Sequence, residues 1–372
     1  MLRGSFVPPD ILVIGGGPAG LATAIAAAQK GLRVTVVESR KPPIHKPCGE
    51  GLLPQAIDAL RDLGVRLHAS LGHPFNGFRF VDDSYSVCAQ IPQGCGLGVR
   101  RTVLHRLLID RAEECGVDLR WGARVSNLES RSACVDGEVL RFRYLTGADG
   151  QNSLVRRFAR LGARWTIERR FGFRRHYAVA PWTNFIEVHW AHRSQMVVTP
   201  TASDEICVSL FVDDPHIRID RALREFPEVA NRLRGSEPRS TEAGSMLAFR
   251  RARGVVRGNV ALVGDAGCTV DAVSGQGVSL AFRQAALLAE ALAAGNLAPY
   301  QAAHNHLTLA AMRMTRLLLV MNSSVWLRRK ALRLFARRPN LFADMISIHT
   351  QPSPETLPAN KIASLTWRVL WA

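Results

Sequence analysis

At 372 residues the chain is long enough for about two domains, each burying its own core. Its 47 % hydrophobic and 21 % charged residues exclude a disordered or fibrous protein. The formal net charge of +17 rests almost wholly on arginine, lysine occurring only as Lys30, Lys41, Lys46, Lys330 and Lys361. That excess reads as a compositional bias or as a surface that attracts anions. The basic residues are scattered and no nucleic-acid motif accompanies them, so nucleic acid is not an expected partner.

The seven cysteines (Cys48, Cys88, Cys95, Cys115, Cys134, Cys207 and Cys268) are odd in number and show no CxxC spacing, and no histidine stands near them at ligand spacing. They predict reduced thiols in a cytoplasmic chain, with neither a disulfide framework nor a metal site.

Residues 11–28 are apolar enough to suggest a signal peptide or a membrane span, yet glycines and a proline interrupt them. They read better as strand, turn and helix. Asp10 leads into Ile-Leu-Val-Ile, then come Gly15, Gly16, Gly17, Pro18, Ala19 and Gly20, and an alanine-rich helix follows to about Lys30. A second strand runs from Arg33 to Glu38. This is GxGxxG in the context that gives it meaning: strand before, helix after, and an acid at the end of the second strand. Gly15 permits the tight turn, Gly17 lets backbone approach a pyrophosphate, and Gly20 lets the helix pack close. The helix N-terminus adds free N–H groups and about half a positive charge. Glu38 is the expected acceptor for ribose hydroxyls, with Ser39 and Arg40 beside it in the same site. An acid there favours an unphosphorylated ribose, hence FAD or NAD over NADP.

Residues 75–91 pattern as a hairpin that turns at Asp82 and Asp83. A strand over 142–145 then runs into Gly147, Ala148, Asp149 and Gly150, and Ser153 can open a helix carrying Arg156 and Arg157. Residues 171–212 alternate, as in Ile206, Val208, Leu210 and Val212, which predicts a sheet with one buried face. His189 and Trp190 lie on one of these strands. Neighbours on a strand point to opposite faces, so at most one lines a pocket, and core or surface is the expected place for each. Residues 259–263 form a buried strand that delivers Gly264 and Asp265 at its carboxyl end, where parallel α/β sheets bind ligands. A glycine-rich turn then starts an amphipathic helix over 275–293, whose first N–H groups can stabilise negative charge.

Three ordered motifs now stand together: GxGxxG with Glu38, Gly-Ala-Asp-Gly with Ser153 and Arg156, and Gly-Asp-Ala with Gly275 and Gly277. Over about residues 10–295 they resemble the class A flavoprotein family built around p-hydroxybenzoate hydroxylase. That family also holds squalene epoxidase-like enzymes, flavin-dependent halogenases and geranylgeranyl reductases. The resemblance implies an α/β fold: a Rossmann-like FAD-binding domain of the GR2 type from residues 8–74, 99–165 and 253–300. An inserted β-sheet substrate domain from 75–98 and 166–252 and a helical, basic C-terminal region over 301–372 complete it. It implies that Asp265 binds the ribityl chain, that Gly275, Gln276, Gly277 and Val278 face the flavin ring, and that Asp149 and Gly150 serve both FAD and a reduced nicotinamide. Arg101, in Arg-Arg-Thr-Val-Leu before a helix, becomes the contact to the FAD phosphates, and Val125 the residue whose backbone holds adenine. With a single GxGxxG, NADH or NADPH would bind only in passing.

The stretch Lys46-Pro-Cys48-Gly49-Glu-Gly51 falls where the family's loop drops towards the flavin. Geranylgeranyl reductases often carry a Cys-Gly pair there. Cys48 and Gly49 are thus expected to position backbone at the ring, with Cys48 as a pocket-lining thiol or a weak catalytic candidate as the alternatives. Two departures sort the branches. Gly267 and Ala272 replace the histidine and proline usual in aromatic hydroxylases, and residues 196–200 lack the tryptophans of the halogenases. Halogenation is disfavoured; hydroxylation and reduction both stay open.

Beyond residue 300 the composition changes. Leu317 and its apolar successors precede a basic stretch over 326–338, with Trp326, Leu327, Leu332, Leu334 and Phe335 among six basic residues. This predicts either a helix on the FAD domain with a solvated basic face or a helix lying on an anionic membrane; no run is long enough to span one. The expected protein is an FAD-dependent oxidoreductase reduced by NADH or NADPH. The resemblance favours a monooxygenase that hydroxylates a hydrophobic phenolic, quinone-like or lipid molecule through a flavin C4a-hydroperoxide. The alternatives are a reductase of isoprenoid or quinone double bonds and a non-catalytic prenyl-binding protein. Its expected location is the cytoplasm, with peripheral contact at the inner membrane face. Its oligomeric state stays open.

Overall fold

A computed structural model describes residues 9–165, 170–247 and 249–350. The far end of the predicted tail, residues 351–372, lies outside the described residues. The strand Ile11–Ile14 is buried at every position, the signature of a central strand covered on both faces. It lies between Tyr144–Gly147 and Val34–Glu38 in a six-stranded sheet that continues to Asp118–Trp121 on one side and to Val260–Leu262 and Val256–Arg257 on the other. All pairings but the last are parallel. Register aligns Ile14 with Val37 and Gly147, so GxGxxG, Glu38 and Gly-Ala-Asp-Gly all leave the sheet at one edge, where Gly264 and Asp265 also emerge after Leu262. The helices Pro18–Ala28 and Gly277–Ala293 pack together beneath that edge. Gly20 lets the first of these helices lie close on its own strand and turn, since a Cβ there would stand 1.9 Å from the Gly15 carbonyl oxygen.

The strand expected over 142–145 begins two residues later: the Phe142 N–H is taken by the Arg131 carbonyl, and bonding towards the first strand starts only with Arg143 and Tyr144, which donate to the Asp10 carbonyl. The helix expected from 275 begins at Gly277, since Gly275 has φ +63° and ends the preceding 3-10 turn Ala272–Ser274 in a left-handed conformation.

A second sheet of seven strands stands over the edge. In order these are Ala243–Leu247, Arg170–Tyr177, Glu205–Val212, Ser194–Ala202, Phe185–Trp190, Gly77–Val81 and Ser86–Gln90. The predicted hairpin supplies the last pair, joined in parallel to Phe185–Trp190. Met196, Val198, Ile206, Val208, Leu210 and Val212 point to one face, where Ile219, Phe226 and Val229 cover them. Gln195, Val197, Thr199 and Phe211 take the other face, towards the first sheet.

Three tail helices, Ala298–Ser323, Val325–Arg337 and Pro339–Thr350, close the remaining side. Here the packing departs from expectation. The basic helix Val325–Arg337 packs on the hairpin and not on the FAD-binding sheet, its Phe335 joining Phe80, Trp190 and Phe342 in one core. Its basic face is not wholly solvated either. Arg328 is buried, donating to the Met321 and Ala191 carbonyls and pairing with Asp82 at 3.7 Å. Trp326, by contrast, is 66 % exposed. Among the described residues no helix is long and apolar enough to cross a membrane.

Candidate active site

One cavity of about 600 Å³ runs between the sheet edge, the second sheet and the tail helices. Its first part is a trough of backbone and polar groups. Gly15, Gly17, Pro18 and Ala19 line it, and the helix Pro18–Ala28 turns an N-terminus without a side-chain cap towards it. A Cβ on Gly17 would meet only open space, as it would on Gly49, Gly150, Gly275 and Gly277, so these glycines form a bare cradle. Glu38 lines the wall with Ser39 and Arg40, its carboxyl accepting from the Gly16 N–H at 2.9 Å and the Arg40 N–H at 3.0 Å. Arg101, Val125, Asp149, Gly264, Asp265 and Val278 also reach the cavity.

Two polar atoms of these residues are buried without a partner among the described residues: Arg101 Nε and Asp149 Oδ1. The other Asp149 oxygen is satisfied, accepting from the Leu154 and Val155 N–H groups. Asp265 holds the Lys46 ammonium at 2.7 Å. Nothing in the sequence marks Lys46, because a lysine in a loop carries no spacing signal.

Two predicted residues do not reach the cavity. Gly20 is spent on helix packing. Gln276 turns its side-chain amide to His349, 2.8 Å from the carbonyl oxygen and 3.2 Å from Nδ1, and so ties the last described helix to the 272–278 turn. His349 itself lines the cavity and is buried. Burial pulls its pKa down to about 4, against a raising contribution from its bond to the Ser274 backbone. His189 and Trp190 are both buried away from the cavity, His189 against Glu187 at 2.9 Å and Trp190 edge-on to Phe80.

Cys48 and Gly49 do line the cavity, and the loop that carries them is held from below. Glu50 has φ +60° and is buried, a strained setting for a residue with a side chain. Its carboxyl accepts from the Arg101 backbone N–H at 3.0 Å, meets His176 Nε2 at 2.5 Å and lies 3.8 Å from the Arg174 guanidinium. Cys207 lies alongside, its Sγ 3.9 Å from the Cys48 carbonyl oxygen, and burial pushes its thiol pKa well up. Glu50, His176 and Cys207 thus bring three ligand-type atoms within 4.8 Å of one another. Arg174 donates to His176 Nδ1 at 2.9 Å, so a fixed cation already occupies the place beside them and works against a metal ion. All seven cysteines are free thiols.

The second part of the cavity is a chamber of different character. Phe78, Phe80, Ile186 and Val188 from the sheet face Met314, Leu318, Met345 and Ile346 from the tail helices. None of these walls carries a charge.

Residues 9–298 match the family described as FAD binding domain. The chain belongs to that family. It is an FAD-dependent oxidoreductase of the class A monooxygenase type, for which a reduced nicotinamide is the usual reductant. It is 28 % identical over 318 residues to a menaquinone reductase of Mycobacterium tuberculosis, covering 78 % of each chain. It is also 28 % identical over 314 residues to 6-methylpretetramide 4-monooxygenase of Streptomyces rimosus, covering 74 % of this chain and 73 % of the other. The flavin-dependent brominase Bmp2 has the same fold, with TM-score 0.80 at 20 % identity over 97 % of this chain and 98 % of its own. The trough fits FAD on its own evidence. The bare glycine cradle, the uncapped helix N-terminus and the orphaned Arg101 and Asp149 atoms are what a dinucleotide would fill and satisfy.

Proposed function

We propose that this enzyme hydroxylates a hydrophobic ring compound of phenolic or quinone type, drawn from a lipid phase, with NADH or NADPH as reductant. The observation that carries the reading is the uncharged chamber opening directly onto the FAD trough. Burial of apolar surface at roughly 25 cal/mol per Å² favours a greasy substrate there, and the absence of charge on its walls disfavours an anionic one. Bound FAD supplies the redox chemistry. The chain's own contribution is to hold the cofactor through the glycine cradle, Glu38, Arg101, Asp149 and Asp265, and to seal the substrate from water with the tail helices. Cys48 and Gly49 position the wall between the two.

A second reading has its own support: reduction of a double bond in an isoprenoid quinone. The mycobacterial menaquinone reductase covers 78 % of this chain, and Cys48 stands at the cavity wall. The two separate by the fate of oxygen. Purified holoenzyme is given NADH or NADPH and prenylated naphthoquinones or phenols under oxygen-18 gas, and the products are weighed by mass spectrometry. One labelled oxygen atom in the product supports hydroxylation. A gain of two hydrogens, undiminished without oxygen, replaces it with reduction.

We also place the enzyme in the cytoplasm with peripheral contact at the membrane's inner face. The exposed Trp326 beside the basic residues of Val325–Arg337 supports that placement.

A further inference from the structure

We infer that Gln195 is the polar anchor of the chamber and selects substrates that carry a neutral carbonyl or phenolic oxygen on an otherwise apolar ring. This rests on the hydrophobic-substrate reading above and deepens it by naming the group recognised and the residue that recognises it.

Gln195 is fully buried on the strand Ser194–Ala202 and lies on the face that Val197 and Thr199 present to the cavity. Its side-chain oxygen accepts from the Arg170 guanidinium at 3.5 Å. Arg170 is itself buried, bonded to Asp271 at 3.0 Å, and stands 3.8 Å from Asp213. A guanidinium has donors only, so the amide oxygen must face it; a flipped amide would set donor against donor. The NH₂ end is therefore directed away from Arg170, and it has no partner among the described residues. A buried donor left unsatisfied is costly and rare in native proteins, which makes a ligand acceptor the natural complement.

The surroundings narrow the ligand. Phe211 lies directly across the sheet from Gln195, and Val197 is next on the same face. An uncharged donor among such walls suits a neutral oxygen, since a carboxylate would bring its full desolvation cost with it. Location narrows it further. Asp271, which fixes Arg170, also accepts from the Val273 N–H and so caps the 272–274 turn leading to Gly275 and Gly277. The oxygen-bearing end of the substrate would lie beside that turn, leaving its apolar remainder to Met314, Leu318 and Met345.

The test compares two probes on oxidised holoenzyme by titration of the flavin absorbance: 2-methyl-3-prenyl-1,4-naphthoquinone and the same skeleton without its oxygens, 2-methyl-3-prenylnaphthalene. The wild type is expected to prefer the quinone by about three- to tenfold, the range of one neutral hydrogen bond. Gln195→Glu keeps an acceptor for Arg170 but removes the donor, and Gln195→Met removes both. Each should lose the preference while binding the hydrocarbon within about twofold of wild type, with flavin content confirming the fold. A quinone preference that survives in both variants, or is missing from the wild type, overturns the anchor and leaves the chamber reading intact. Failure of the wild type to bind either skeleton overturns the chamber reading and the anchor together.

Discussion

The trough and the chamber meet in one cavity but are built by opposite means. The trough holds its ligand with backbone N–H groups, bare glycines and a few polar side chains, nearly all at the carboxyl edge of the parallel strands of a single sheet. The chamber is made of side chains alone, brought from strands near residues 78 and 186 and helices near 314 and 345. Polar recognition by backbone demands particular residues at particular places, because a single Cβ can block it. Apolar enclosure demands only volume, and many sequences supply that.

The largest effect should fall on the trough. Gly20→Val would drive a side chain into the Gly15 carbonyl, so the helix Pro18–Ala28 must leave its strand. Purified protein should contain less than about a tenth of the wild-type flavin per chain, a loss of the kind reserved for severe overpacking. A matching enlargement on the chamber side, Ile346→Phe, should leave flavin content unchanged. Equal flavin loss in the two variants would erase the distinction between the regions.

Next comes the support beneath Cys48. Glu50→Ala leaves Arg174 and His176 buried without their acid, and removal of one member of such a cluster costs about 3 kcal/mol. Chemical denaturation of the variant should show that loss, and Glu50→Gln should recover part of it. A change below about 1 kcal/mol would mean that the loop is held by its backbone alone.

Two histidines then sharpen the comparison by pH. His304 lies buried behind the FAD-binding sheet, its pKa lowered to about 4 by burial and then by Arg251, and His349 at the chamber is lowered to about 4 by burial. Both folded values lie below the usual 6.5, so the unfolded chain binds more protons between pH 6.5 and 4. Stability is therefore complete above that window and falls as pH drops through it, by about 2 kcal/mol per histidine at pH 5. His349→Phe should remove roughly half of this slope in denaturation curves taken at pH 7 and pH 5. An unchanged slope would show that His349 titrates normally.

The smallest effect belongs to the outer face of the tail. Trp326→Ser should alter stability by less than about 0.5 kcal/mol, since the ring is exposed. The same change should weaken sedimentation with anionic phospholipid vesicles. Unaltered sedimentation would remove Trp326 from any membrane contact.

Legibility in the sequence followed the same divide. Gly15, Gly17, Glu38, Asp149, Asp265 and Gly275 could be read because spacing and chain order betray a dinucleotide site, and each lies on the trough wall. Lys46, Gln195 and His349 could not, since a lone lysine, glutamine or histidine signals nothing until the fold gives it neighbours. Gln276 shows the limit from the other side: it sits inside a legible motif, yet it serves His349 instead of the cavity. The sequence shows a basic, amphipathic tail helix but not where that helix packs. Arg328 looks like a solvated cation in sequence and is buried in the fold, where the Met321 and Ala191 carbonyls accept its N–H groups and Asp82 lies 3.7 Å away.

The sequence by itself determined the cofactor class, the parallel sheet and the edge where the ligand binds, because glycines and acids at fixed spacing have few other physical uses. Only the tertiary structure decided what faces the cofactor across the cavity. The chamber's apolar walls, the buried Glu50 cluster and the direction of the Gln195 amide arise from contacts between residues far apart in sequence, such as Glu50 with His176, Arg170 with Gln195 and Phe80 with Phe342. Hydrophobic packing is indifferent to sequence distance, and a side chain's hydrogen-bonding role is fixed by the partner it meets, which no local pattern records.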